Sequence, residues 1–109
     1  MKPVTKETLL DAIQKVEEQG KLTHYAYEDA TGCRCVVGHL MEEQELIKLK
    51  EDELNDASIG ALLQQSDFIS VPTKDSLILA RLQSLNDIED LPVDVFVKEA
   101  RALVEELFA

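Results

Sequence analysis

Tryptophan is absent from this 109-residue chain, and three Phe and two Tyr make up the whole aromatic supply. That leaves little with which to stack nucleobases. Basic side chains are scarce too: 11 Lys and Arg stand against 22 Asp and Glu, a formal net charge of −11. Affinity for a phosphate backbone comes mainly from Lys and Arg, so direct binding of nucleic acid is not expected. No apolar run approaches the ~20 residues of a membrane span. The opening Met1-Lys2-Pro3-Val4 leads straight into an amphipathic pattern, without the apolar core of an export signal. The only cysteines are Cys33 and Cys35. With no export signal, a disulfide scaffold is not expected, and the reading is a cytoplasmic protein with reduced thiols. Few prolines and glycines, with 45% hydrophobic and 30% charged residues, point to a single acidic globular domain over residues 1–109.

Hydrophobic spacing supplies the elements. Leu9, Ile13 and Val16 recur at helical intervals from about Thr5 to Gln19, with Thr5 placed to cap the start and Gly20 the end. From Thr23 the period changes to two: Tyr25 and Tyr27 alternate with polar neighbours, and Asp29-Ala30-Thr31-Gly32 has turn chemistry. Cys33 to Val37 then returns as the second strand of a short hairpin that leads into a helix near Gly38. The rival reading starts that helix near Cys35 and runs it through Met41. An acidic helix follows to about Lys50, then a solvated turn, then a short helix through Ile59, Leu62 and Leu63 to about Gln65. Phe68, Ile69 and Val71 read as a packed connector without regular structure. A helix from about Lys74 to Asn86 buries Ile78, Leu82 and Leu85. A last helix begins with Pro92 in its first turn, where a missing N–H costs nothing. Val93, Phe96, Val97, Ala100, Leu103, Val104, Leu107 and Phe108 carry it at i, i+3, i+4, i+7. Of these, Phe96, Val97, Leu103, Val104 and Phe108 are expected to be buried against Ile13, Val16, Ile78 and Leu82. The fold class is mainly α (α+β): a small helical domain with one short β-hairpin.

One constellation has chemical content. His24, Cys33, Cys35 and His39 fall within sixteen residues and would make a Cys₂His₂ set for zinc if the hairpin gathered them. C-x-C spacing is tighter than the usual zinc ribbon, however. A second reading makes Cys35, just before a helix, a thiolate paired with His39. The preferred reading is structural: Cys35 a small buried hydrophobe, Cys33 the more accessible thiol, and both histidines partly exposed. No cofactor and no catalytic residue is assigned.

Asp29, Gly32, Cys35, Val37, Gly38 and Leu40 lie in the stretch Asp-Ala-Thr-Gly-Cys-Arg-Cys-Val-Val-Gly-His-Leu. It resembles the D-G-x-x-C-x-[IV]-G-x-L turn of small uncharacterised phage and prophage accessory proteins. The later Leu79-Ala80-Arg81-Leu82-Gln83-Ser84-Leu85-Asn86-Asp87 is similar to their L-x-x-L-Q-x-[IL]-H-D segment, with Asn86 in place of the usual His. The resemblance covers about a fifth of the chain. It implies an accessory protein of a mobile element and brings no activity or catalytic residues.

Charge then suggests a role. A body this small at −11 attracts basic partners and avoids nucleic acid. The expectation is a non-enzymatic interaction protein, an inhibitor occupying a basic, nucleic-acid-binding surface of a host protein. The competing reading is that acidity only keeps the chain soluble. Contact candidates are Glu42, Glu43, Glu45, Glu51, Asp52 and Glu53, with Asp87, Glu89, Asp90 and Asp94 as a second patch.

Overall fold

The capped, amphipathic stretches fold as helices. A computed structural model describes residues 1–66 and 69–109, so Phe68 of the expected connector lies outside the described residues. In chain order the helices are α1 (Lys6–Gln19), α2 (Val36–Leu40), α3 (Glu43–Glu51), α4 (Ile59–Gln65), α5 (Thr73–Asn86) and α6 (Val93–Leu107). Thr5 caps α1 by accepting the Thr8 N–H at 3.1 Å, and Gly20 closes it in the left-handed conformation at φ 76°. That satisfies backbone groups which a helix end otherwise leaves unpaired. Ser58 caps α4 in the same way through the Ala61 N–H. Pro72 and Pro92 each occupy the residue just before the first helical one, so Pro92 precedes the first turn of α6 rather than entering it.

α1, α5 and α6 form the frame: α6 packs on both α1 and α5, and α2 bridges α1 and α5. Leu9, Ile13 and Val16 of α1, Leu40 of α2, Ile78, Leu79 and Leu82 of α5, and Phe96, Val97, Ala100 and Val104 of α6 are all buried in one cluster. Leu85 of α5, expected inside, is only partly buried, and so are Leu103 of α6 and Phe108 at its end. The apolar stripe on α6 is wider than the face its neighbours cover, so Leu103 and Phe108 fall on its margin.

The expected hairpin is not there. Residues 23–37 contain one isolated antiparallel bridge, Glu28 with Arg34, and no strand is found among the described residues. Three causes act together. Tyr25 takes a left-handed backbone, φ 58°, which breaks the extended run. Asn55 fills the place of a partner strand: its Oδ1 accepts the Glu28 N–H, its Nδ2 donates to the Glu28 carbonyl, and its own carbonyl accepts the Tyr27 N–H at 3.0 Å. Finally, Cys35 caps α2, its Sγ accepting the Gly38 N–H at 3.4 Å, so helix begins at Val36. The rival reading, a helix starting near Cys35, is the correct one.

Gly38 is the tightest fit in this region. A Cβ there would stand 2.0 Å from the Tyr27 carbonyl oxygen, so only glycine lets α2 lie against the loop. No helix among the described residues is long and apolar enough to cross a membrane.

Candidate functional site

Between α1 and α2 the chain is held by side chains rather than by a ladder. Asp29 folds the turn. Its Oδ1 accepts from the Thr31 N–H at 2.9 Å, the Thr31 hydroxyl at 2.6 Å and the Cys33 N–H at 3.1 Å. Lys21 pairs with Oδ2 at 2.8 Å. The Lys21 ammonium and the Thr31 donors hold this carboxyl well below the usual carboxylate range. Gln19, the last residue of α1, clamps the far side. Its Nε2 donates to the Arg34 and Lys21 carbonyls at 2.6 and 3.0 Å, and its Oε1 accepts the Arg34 N–H at 3.1 Å. With the amide oriented so, His39 Nε2 donates to the same Oε1 at 2.9 Å, which sets the histidine tautomer. Burial, with Arg34, Lys15 and Lys2 nearby, pushes His39 down to about 4, so it is neutral at pH 7. Burial raises Glu28, but hydrogen bonds from Lys50 and Arg34 outweigh it and leave the carboxyl below its ordinary range.

The four metal or nucleophile candidates are thereby separated. His24 is exposed, its ring edge-on to Tyr25 at 6.2 Å. Cys33 is half-buried. Cys35 is fully buried, and burial pushes its thiol up to about 11 against hydrogen bonds from the Gly38 and Val37 backbone and from Gln83. Protonated at neutral pH, beside a neutral His39 engaged with Gln19, Cys35 is not poised as a thiolate–imidazolium couple. Among the described residues no group of three or more His, Cys, Asp or Glu is placed to hold a metal ion.

The acidic candidates divide in another way. Glu42, Glu43, Glu51, Asp52 and Glu53 are exposed around the ends of α3, with Asp52 reaching Lys48 at 3.8 Å. Glu45 is turned inward: it accepts the Glu42 N–H at 2.8 Å and pairs with the terminal ammonium of Met1 at 2.7 Å. Glu89, Asp90 and Asp94 are exposed between α5 and the first turn of α6, and Asp87 is partly buried.

Asp87 is partly buried because it joins the loop to α5. Its Oδ1 accepts the Tyr25 N–H at 3.3 Å and the Asn86 Nδ2 at 3.0 Å, while Asn86 also donates to the Thr23 carbonyl at 2.8 Å. Of the acidic candidates only Asp87 lines a cleft, and there it is joined by Asp56, three residues beyond the first patch. This cleft of about 340 Å³ is lined by Tyr25 from the loop, Asp56 and Ser58 from the turn before α4, Gln83 and Ser84 from α5, and Asp87 just after it. Two local rules are broken beside it. A bulky residue in the left-handed region costs about 1–3 kcal/mol, and Tyr25 does so with its ring 60% exposed. Asn86 is 1% exposed, yet its Oδ1 has no hydrogen-bond partner among the described residues. Both residues are tied to the same Asp87 carboxylate.

Sequence reasoning placed Asp87 in an acidic patch but missed Tyr25, Asp56, Gln83 and Ser84. The available signal was Gln83 and Asp87, four apart on one face of a helix otherwise read for its apolar positions. No protein-family model matches this chain, and no curated protein or solved structure matches it.

Proposed function

We propose that this chain is a non-enzymatic acidic binding protein whose cleft receives a cationic side chain, best a guanidinium, from a basic surface of another protein. The observation that carries the reading is the joining of Asp56 and Asp87, far apart in sequence, in one cleft under an exposed tyrosine ring. The carboxylates, with the Gln83 and Ser84 oxygens, supply acceptors for a planar set of N–H donors. The Tyr25 ring supplies a face for the cation. Exposed charge outside the cleft lining, from Glu53, Glu89 and Asp90, serves encounter more than lifetime. The phage-type resemblance extends this reading to a host partner whose nucleic-acid-binding surface the chain occupies as an inhibitor.

Titrating the isotope-labelled protein with tetra-arginine tests it. Amide shifts should concentrate at Tyr25, Asn55–Gly60 and Gln83–Asp87, and Asp56→Asn should reduce the affinity without changing the unfolding midpoint. Shifts spread evenly over all the exposed acids, unaffected by Asp56→Asn, would leave acidity as a matter of solubility.

A further inference from the structure

α5 carries two apolar faces. Ile78, Leu79 and Leu82 enter the core, while Leu77, Ala80, Arg81, Ser84 and Leu85 follow i, i+3, i+4, i+7, i+8 on another side. Beside that second stripe runs one on α6, Glu99, Ala102, Leu103 and Glu106, again at helical spacing. The two stripes enclose an open groove of about 710 Å³. Leu77 stands on it 63% exposed. A protruding apolar side chain above positions as small as Ala80 and Ala102 offers both a knob and the hole for one. Charge is split between the lips: Arg81 on α5, Glu99 and Glu106 on α6.

We infer that a second copy of this chain covers the groove, two α5–α6 pairs packing about a two-fold axis. In an isologous contact each feature must meet its complement on an identical surface. Crossing α5 of one copy over α6 of the other sets each Leu77 against Ala102 and each Arg81 against Glu99 and Glu106 of the second copy. Ala80 and Ser84 border both the groove and the acidic cleft, so pairing sets two clefts beside one interface. The inference stands on the groove alone and survives if the cleft binds no cation.

Net charge gives the pairing a signature opposite to that of cation binding. Two bodies at −11, each with a radius of gyration of 12.8 Å, repel less as the Debye length falls from ~10 Å at ~0.1 M salt to ~3 Å at ~1 M. Pairing should therefore tighten by about tenfold over that range.

Sedimentation equilibrium of the intact chain, from about 1 µM to about 1 mM, reads this directly. The expected result is a reversible monomer–dimer equilibrium that tightens with salt. Leu77→Glu should weaken it at least tenfold with the thermal midpoint of the monomer unchanged. Arg81→Glu should weaken it as well, and adding Glu99→Lys and Glu106→Lys should restore it. A monomer at every concentration in both salts, a dimer that loosens with salt, or one that Leu77→Glu leaves intact overturns the inference.

Discussion

The frame of α1, α5 and α6 and the loop between α1 and α2 are built on different physics. The frame buries Leu9, Ile13, Leu82, Phe96 and Val104 completely, and non-directional burial holds it. The loop buries Tyr27 and Cys35 but gets its shape from four polar side chains, Gln19, Asp29, Asn55 and Asn86, each bonded to backbone at set positions. A frame of the first kind tolerates exchange among apolar residues of similar size. A loop of the second kind tolerates almost none, and it can hold Tyr25 in a conformation that its own preference opposes. Of the three described non-glycine residues with a left-handed backbone, Tyr25, Glu53 and Asp90, Tyr25 is the one that lines the cleft, on the polar-clamped side.

The comparison can be broken from the frame first. Phe96→Ala should cost about 3–5 kcal/mol in denaturant unfolding, whereas Leu103→Ala, on the open margin of α6, should cost about 1–2 kcal/mol because much of its surface already faces the groove. Equal losses would show that the margin of α6 is core. Next comes the seam between the two regions. Gly38→Ala drives a Cβ into the Tyr27 carbonyl and should cost about 3 kcal/mol. Gly60→Ala, with open space around it in α4, should stabilise by up to about 1 kcal/mol.

Smaller effects belong to the loop. Asn55→Ala removes the stand-in for a partner strand and should cost about 1–3 kcal/mol. Hydrogen exchange should speed up at Glu28 while the amides of α6 stay protected at any denaturant concentration where the frame remains folded. Matching acceleration in α6 would make loop and frame one cooperative unit. pH probes the same clamp. His39 is held at about 4 in the folded chain, below its ordinary value of 6.5. Between those values the unfolded chain binds the proton and the folded one does not, so stability rises with pH through the window and is fully present above 6.5. Unfolding measured from pH 4 to pH 7 should show that rise, and His39→Gln should flatten it. An unchanged slope would mean that the histidine is not held neutral.

The same contrast governs what could be read from sequence. α1, α5 and α6 were legible in the 3.6-residue spacing of Leu9, Ile13, Val16, Ile78, Leu82, Phe96 and Val97, and α1 even in its caps, Thr5 and Gly20. Of the eight apolar residues in the α6 stripe, five were expected inside, and Leu103 and Phe108 among them lie only partly buried because the spacing marks an apolar stripe without showing how much of it neighbours cover. Alternation at Tyr25 and Tyr27 mimicked a strand because a period of two says nothing about φ. Asn55, thirty residues from Tyr25, carries no local signal that it replaces a strand. The acidic patches were visible as composition. The joining of Asp56 and Asp87 in one cleft depends on tertiary contacts that spacing does not encode.

Tyr25 puts the central claim, that the strained side of the molecule is its binding side, to the most direct test. Tyr25→Gly removes an exposed ring and relieves a left-handed backbone, so stability and binding should move apart. Unfolding and tetra-arginine titration of this one variant should show a stability that is unchanged or raised, by up to about 1 kcal/mol, together with a clear loss of affinity at the cleft. A destabilised protein, or one that binds the peptide as well as the parent does, would contradict the account.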